Sequence, residues 1–505
     1  MRRKLTIYYT SDLHSTFYPT DYCDSAEKEM GLFRLVPHFH KDGNTLLIDG
    51  GDILQGSPLA SYQKSVAHDN SLIAEIMTAC GYDLFTLGNH DFNDGMVELQ
   101  HYISQMQALC VCENLLDPQG HRPYPAIIKN MDNGLRVGIF GLVTDHVNIW
   151  ERPENLESYR VIDPLESARS AVASLRPSCD FIIGIYHGGF ERDLSTGTLL
   201  SNSRENIGYQ LCREIDLDLL LTGHQHISFH GRRLFGTYTL QPAAQAREAY
   251  RVDIEEGEKG WEISSESLKA NQSVDEKLLR RFAHEEEKVQ HWLDQEIGSL
   301  DRELRSQDHL SMALKGSPIA SFLNAVQLHY SGADVSATSL ANEVKGFPRK
   351  VSRRDILANY PYSNTLLVLE VDGRTLRQAM ERSASYFNLD EQGSPRISER
   401  FLKPKVEHYN YDYYGGVEYD LDLRRPLGQR VTKLQLRGND IRDDQTLSLC
   451  LNDYRAKGGG GYDFLRDCKR LHESTEEMSE LITRYFEEGQ QNSELSKQIW
   501  AQIKY

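Results

Sequence analysis

A chain of 505 residues with 56 Lys and Arg against 74 Asp and Glu carries a formal charge of -18. That length excludes one ordinary hydrophobic core, and that charge excludes a basic face for a nucleic-acid polymer. Small anionic substrates stay open where a metal supplies positive charge locally.

The start, "MRRKLTIYYTSDLH", holds no apolar targeting segment, and no run is long enough to cross a bilayer. A cytoplasmic protein with no membrane partner is expected. Five short β-prone runs follow one grammar. "KLTIYYTSDLH" leads into Asp12 and His14. "NTLLIDGGD" ends at Asp49 and Asp52. "YDLFTLGNHD" ends at Asn89, His90 and Asp91. "CDFIIGIYHGG" ends at His187, and "LDLLLTGHQH" at His224 and His226. Unbroken apolar runs of this length fit strands buried on both faces. Between them lie helical patterns. "DNSLIAEIMTACG" stops at Gly81, and "DPLESARSAVASLRP" opens on Asp163 and Pro164, a cap and first-turn pair. "LRVGIFGLVT" and "RRLFGTYTLQP" follow hairpin-like turns, so antiparallel strands are mixed in. Cys80, Cys179 and Cys212 sit near apolar segments as buried thiols do, and Cys110 and Cys112 read as part of a strand.

One strand end with Asp-x-His is usually a surface turn. Five in order are not. Asp, Asn and His are borderline oxygen and nitrogen donors suited to Mn, Zn, Fe, Co or Ni. There are enough of them for two divalent ions, and a pair about 3.5–4 Å apart needs a shared carboxylate. Asp52, after the Gly50-Gly51 turn, is the natural bridge. His230 follows the last block and reads mainly as a solvent-facing residue.

After "REAYRVDIEEGEKGWEI" the metal-binding grammar stops. Residues 272–303 read as one charged helix with Val289, Trp292, Leu293 and Ile297 on its apolar face. "GSPIASFLNAVQLHYSGADVSA" is helix-like, then strand-like. "DILANYPYSNTLLVLEVDGRTLRQAME" gives a turn, an alternating strand and a helix after Asp372-Gly373. "HYNYDYYGGVEYDLDL" is dense in tyrosine, which fits either an edge strand with aromatic pairs or a stacking wall for a base. The tail from His472 reads as amphipathic helix with Met478, Leu481, Ile482 and Phe486 on one side.

The blocks D-x-H, G-D, G-N-H-D, H and G-H-x-H resemble those of the calcineurin-like metallophosphoesterases. "VSRRDILANYPYSNTLLVLEVDG", "YNYDYYGGVEYDLDL" and "LNDYRAKGGGGYDF" resemble the substrate domain of the 5'-nucleotidase and 2',3'-cyclic-nucleotide phosphodiesterase group. The resemblance implies a two-domain α/β (α+β) protein. A four-layer α/β/β/α catalytic domain would occupy residues 1–265, a linker helix region 266–305, and a 5'-nucleotidase-type substrate-binding α/β domain with a helical tail 306–505. It also implies a metal-dependent nucleotide phosphoesterase whose hydroxide is activated by two metals. Asp12, His14, Asp52 and His226 would hold one ion. Asp52, Asn89, His187 and His224 would hold the other. His90 would stabilise the transition state rather than bind metal, and Asp49 would orient His14 from behind. Tyr409 and Tyr462 would clamp the base, with Tyr411 as the alternative first wall. Asn410 and Asp463 would touch polar edges of the nucleoside. One departure matters: "GNHDFNDG" places Asn93 where many simple 5'-nucleotidases carry the Asp that pairs with the histidine. That form favours cyclic-nucleotide or dual activity. Asp91 and Asp94 are further carboxylates beside it. Competing readings are a phosphatase of another small phosphoester or nucleotide sugar, and a metal-bearing interaction scaffold.

Overall fold

The computed structural model describes residues 3–505 apart from 24–25, 201–203, 259, 363, 404–405 and 491–500. The chain divides into two compact units, Met1–Val289 and Gln290–Tyr505.

The first unit is built on two six-stranded sheets. One runs in the order Gly260–Lys269, Glu248–Gly257, Lys4–Thr10, Thr45–Asp49, Leu84–Phe85, Leu109–Cys110. The other runs Phe229–Leu234, Thr237–Gln241, Leu219–Thr222, Phe181–His187, Arg136–Val143, Ile127–Asn130. Lys4–Thr10 lies parallel to Thr45–Asp49, and Phe181–His187 parallel to Leu219–Thr222. Parallel neighbours finish on the same edge of their sheet, which is where α/β folds gather their chemistry. Antiparallel pairs lie toward the outer strands, among them Ile127–Asn130 with Arg136–Val143 and Phe229–Leu234 with Thr237–Gln241.

Strand alternation assigns each apolar residue to a layer. Ile7, Tyr9, Ile48, Ile139, Ile183, Leu219 and Leu221 form one enclosed cluster between the sheets. Phe140, Leu142, Ile182 and Leu220 point the other way and pack with Leu165, Ala168 and Leu211 of the helices Pro164–Leu175 and Gly208–Glu214. The first sheet is covered by Ser71–Cys80 and Met96–Gln105, whose Tyr102 meets Phe85 at 5.8 Å. The result is the expected α/β/β/α layering. Asp163 caps its helix by accepting from Leu165 N at 2.8 Å and Glu166 N at 3.2 Å. Gly81 ends Ser71–Cys80 at φ 86°.

The second unit centres on a five-stranded sheet in the order Asp412–Gly415, Val335–Ser339, Thr446–Asn452, Thr365–Asp372, Lys469–Glu477. Helices Pro318–Ser331, Gly373–Ala384 and Met478–Glu487 contribute Phe322, Leu376 and Phe486 to its core. Two expectations need correction. The helix read across 272–303 spans only Glu276–Leu293. Ile297 lies on the strand Glu296–Ser299, paired with Lys350–Ser352, because strand pairing there satisfies the backbone beside the poor helix former Gly298. The helical tail is Met478–Glu487, with Met478, Leu481, Ile482 and Phe486 buried. His472 belongs to the preceding strand, residues 491–500 lie outside the described residues, and Gln502–Lys504 is a strand beside Glu418–Asp422.

Arg455 ties two loops of this unit together. It is 3% exposed and donates to the Asp412 carboxylate (2.9 Å), Tyr409 O (2.9 Å), Gly459 O (2.8 Å) and Asn410 Oδ1 (3.2 Å). Arg455→Leu leaves Asp412 charged and buried without its partner. A loss of about 3–5 kcal/mol in urea unfolding is expected for such a broken pair. A change below about 1 kcal/mol, the range of surface pairs, would contradict this reading.

Candidate metal centre

The chemistry-bearing turns leave their strands in an unusual backbone state. Asp12 (φ 55°), His14 (50°), Asp52 (61°), His224 (71°) and His226 (56°) all lie in the left-handed region. Each such residue costs on the order of 1–3 kcal/mol, so its surroundings must impose it. Asp91 does this for Asp52. It is buried and accepts four backbone N–H bonds, from Gly88 (2.8 Å), Asp52 (3.0 Å), Ile53 (2.8 Å) and Leu54 (3.0 Å). The GNHD block is thereby tied to the GGD turn. Gly88 has no room for a side chain, since a Cβ would fall 2.1 Å from Asp52 Oδ1. Gln225, between the two histidines, accepts from Phe190 N (2.9 Å) and donates to Phe190 O (3.2 Å), fixing the loop after His187.

These turns bring the named side chains together. Donor atoms of Asp12, His14, Asp52 and His226 all lie within 4.8 Å of one another, as do those of Asp52, His187 and His224. Asp52 belongs to both groups. Asn89 Oδ1 joins the second, 2.8 Å from His224 Nδ1. There are two adjoining clusters, and they fit two divalent ions.

The hydrogen-bond roles test that fit. His187 Nδ1 donates to Gly50 O at 2.6 Å, so its Nε2 faces Asp52 Oδ2 (3.1 Å) and Asp12 Oδ1 (3.9 Å). A neutral ring with its hydrogen on Nδ1 has only a lone pair to offer there. His224 repeats the pattern. Its Nε2 donates to Glu205 Oε1 at 2.9 Å, which turns a lone pair on Nδ1 toward Asn89 Oδ1. His14 Nδ1 donates to Gln55 O at 2.7 Å and aims Nε2 at His226 Nε2, 3.0 Å away. His187 and His224 each need a positive charge at that point: an extra proton or a cation. Asp12 and Asp52 are 0% and 1% exposed, and among the described residues no Lys or Arg pairs with either. Burial alone would keep His187 neutral, yet Asp52 and Asp12 override it and lift the ring to about 10. His14 is lowered to about 4, by burial first and then by His226. The donor set therefore wants cations, of borderline N and O preference.

His90 sits beside this set, its ring 5.8 Å from that of His14, with Nδ1 2.8 Å from Asn93 Oδ1. Asp49 does not orient His14. It accepts from Thr10 Oγ1 (2.7 Å) and Gly51 N (3.0 Å), and burial pushes it up to about 8; the Gln55 carbonyl holds His14 instead. Asp94 pairs with Lys64 at 2.9 Å, and His230 is exposed and 3.3 Å from Tyr250 Oη. The sequence reading missed Gln55, Glu205 and Trp150, whose ring stacks on His224 at 5.6 Å. A backbone carbonyl leaves no signature in sequence, and Glu205 lies far from any motif.

In the second unit the expected residues separate. Tyr411 is enclosed by Tyr386 and Tyr413, with its hydroxyl on Ala313 O at 3.3 Å. Tyr462 is 0% exposed, bonded to Ser383 Oγ at 2.8 Å and covered by Arg455 at 4.4 Å. Both rings are buried in this conformation, Tyr411 among aromatic neighbours and Tyr462 beneath Arg455. Asn410 is buried between Glu407 and Arg455, and Asp463 is exposed and paired with Arg466. Tyr409 is partly exposed and lies 6.4 Å from Tyr362. Tyr454 adjoins both and is 44% exposed, its ring against Gly459. Burial, then Glu407 and Tyr454, hold the Tyr409 phenol well above its ordinary range.

Comparison with known proteins decides the family. Residues 5–228 match the calcineurin-like phosphoesterase family, and 296–467 match the 5'-nucleotidase C-terminal domain. A Staphylococcus aureus structure assigned as a 5'-nucleotidase is 30% identical, covers 100% of both chains and superposes with a TM-score of 0.88. The chain belongs to the 5'-nucleotidase family of calcineurin-like metallophosphoesterases. It is similar to the 2',3'-cyclic-nucleotide 2'-phosphodiesterase/3'-nucleotidase of Salmonella typhimurium, 24% identical over 90% of this chain and 81% of that protein. It is also similar to the trifunctional nucleotide phosphoesterase YfkN of Bacillus subtilis, 25% identical over 95% of this chain, which spans 38% of that protein's length. Family and site agree on a metal-dependent hydrolase. No helix among the described residues is long and apolar enough to cross a membrane.

Glu205→Gln removes the carboxylate behind His224. Metal affinity is expected to fall roughly 10–100-fold, measured by competition with a chelator. Asp52→Asn, which weakens both clusters, should lose more. A Glu205→Gln protein that holds metal like wild type would contradict the role given to Glu205.

Proposed function

We propose that this phosphoesterase hydrolyses nucleotide phosphoesters, with 2',3'-cyclic nucleotides and nucleoside monophosphates as substrates. The observation that carries the reading is a non-ligand histidine, His90, beside two clusters sharing Asp52. Binding metal alone would not need it. The similarity to a cyclic phosphodiesterase/nucleotidase and the Asn at position 93 favour the cyclic branch.

Asp12, His14, Asp52 and His226 would hold one divalent ion, and Asp52, Asn89, His187 and His224 the other. Bound there, the ions supply Lewis-acid charge that acidifies water and neutralises phosphoryl oxygens. The chain's own residues do the rest. Asp91 holds the turn that aims Asp52. Gln55, Gly50 and Glu205 fix which nitrogen of His14, His187 and His224 faces the centre. His90 donates through Nδ1 to Asn93, and a second N–H on Nε2 would donate to the phosphoryl or leaving oxygen, where charge grows in the transition state. The partly exposed group Tyr362, Tyr409 and Tyr454 offers aromatic faces to a base, which favours a nucleoside over a bare phosphoester.

His90→Asn is expected to lower kcat roughly 10²–10⁴-fold on cyclic and monophosphate substrates, with metal content near wild type. Metal loss equal to that of His224→Asn would place His90 among the ligands. Tyr454→Ala and Tyr409→Ala should each raise KM for a nucleotide roughly 5–100-fold while sparing an aryl phosphate. Parallel losses on both substrates would sink the nucleoside reading of these rings.

A further inference from the structure

An asparagine beside a catalytic histidine is ambiguous. Its side chain has a C=O that accepts and an NH2 that donates. The face it turns to His90 decides which ring nitrogen carries the hydrogen. Glu151 removes the ambiguity. Asn93 Nδ2 donates to Glu151 Oε1, and a carboxylate only accepts. The amide must therefore turn its NH2 to Glu151 and its C=O to His90, where Oδ1 lies 2.8 Å from Nδ1. Asn155 holds both residues in place: its Nδ2 donates to Glu151 Oε2 at 2.9 Å and to the backbone carbonyl of Asn93 at 2.9 Å. Flipped, Asn93 would point an N–H at Nδ1, and His90 could carry a lone hydrogen only on Nε2.

The placement of Glu151 adds to this. It follows the short helix Val147–Trp150, whose Trp150 stacks on His224 at 5.6 Å and 22°. One turn of chain thus reaches a metal-cluster histidine with one residue and the partner of His90 with the next. Val147 buries its side chain beneath the turn, and Asn148 Nδ2 bonds Val161 O at 2.7 Å, so the turn is anchored from below.

We propose that Glu151 is a positioning residue for His90, acting through the Asn93 amide: it keeps the amide carbonyl as the acceptor for Nδ1–H, so that the ring can carry a second hydrogen on Nε2 and donate it to the substrate oxygen. The carboxylate is set one amide away from the histidine, with Asn93 as the relay. This rests on the role given to His90 above.

The test exchanges donor and acceptor. Glu151→Ala frees the amide to flip, and kcat is expected to fall roughly 10–100-fold, with KM within about threefold and metal content unchanged. Asn93→Asp sets two carboxylates face to face and should also lower kcat. The double variant Asn93→Asp/Glu151→Gln reverses the bond: the amide introduced at position 151 donates, and the carboxylate introduced at position 93 accepts directly from His90. It should recover kcat to within about fivefold of wild type, a reciprocal rescue that a purely structural role for Glu151 would not give. Wild-type kcat in Glu151→Ala, or a double variant no better than Asn93→Asp, overturns the proposal. His90→Asn separates the two levels. If it retains wild-type turnover, the role of His90 itself fails and the relay falls with it. If it loses turnover while Glu151→Ala does not, only the relay is wrong.

Discussion

Two carboxylates, Asp12 and Asp52, are buried where five strand ends meet, and no Lys or Arg among the described residues neutralises them. Burying an unpaired charge is among the costliest things a fold can do. The first unit is arranged around that constraint. Its strands deliver four histidines to the carboxylates, and carbonyls or a carboxylate behind three of them turn ring lone pairs inward. Asp91 commits both of its oxygens to amides of the two turns. Left-handed backbone occurs at five ligand positions, and Asp91 holds the one at Asp52. The donor set fits divalent cations, which would offset the buried charge and supply Lewis-acid chemistry for hydrolysis when bound.

The second unit handles buried charge differently. Arg455 and Asp412 neutralise one another, and the remaining donors of Arg455 bind carbonyls and Asn410. No external ion is called for. The pair serves to set the backbone of the tyrosine-rich loop against the glycine turn, which leaves Tyr409 and Tyr454 at the surface and Tyr462 beneath Arg455.

Much of this was legible in the sequence. Strand ends carrying Asp, Asn and His are local features, so the layering and the gathering of candidate ligands at the strand ends followed from chain order and the grammar of each turn, while the family resemblance singled out Asp12, His14, Asp52, Asn89, His187, His224 and His226 among them. Caps such as Asp163 are equally local. What escaped depends on tertiary packing. Asp49 sits three residues from Asp52, yet strand register sets it opposite Thr10, which it binds rather than His14. Tyrosine density does not show which rings face outward, and Tyr411 and Tyr462 turn inward. Glu205 and Glu151 act on motif residues from 19 and 58 positions away, beyond the reach of any short pattern.

Anomalous diffraction from crystals grown with Mn²⁺, collected on either side of the metal edge, addresses the metal centre most directly. Two peaks per chain are expected, about 3.5–4 Å apart, with Asp52 touching both. A single peak, or two that share no carboxylate, would contradict the reading of Asp52 as the bridge on which the centre is built.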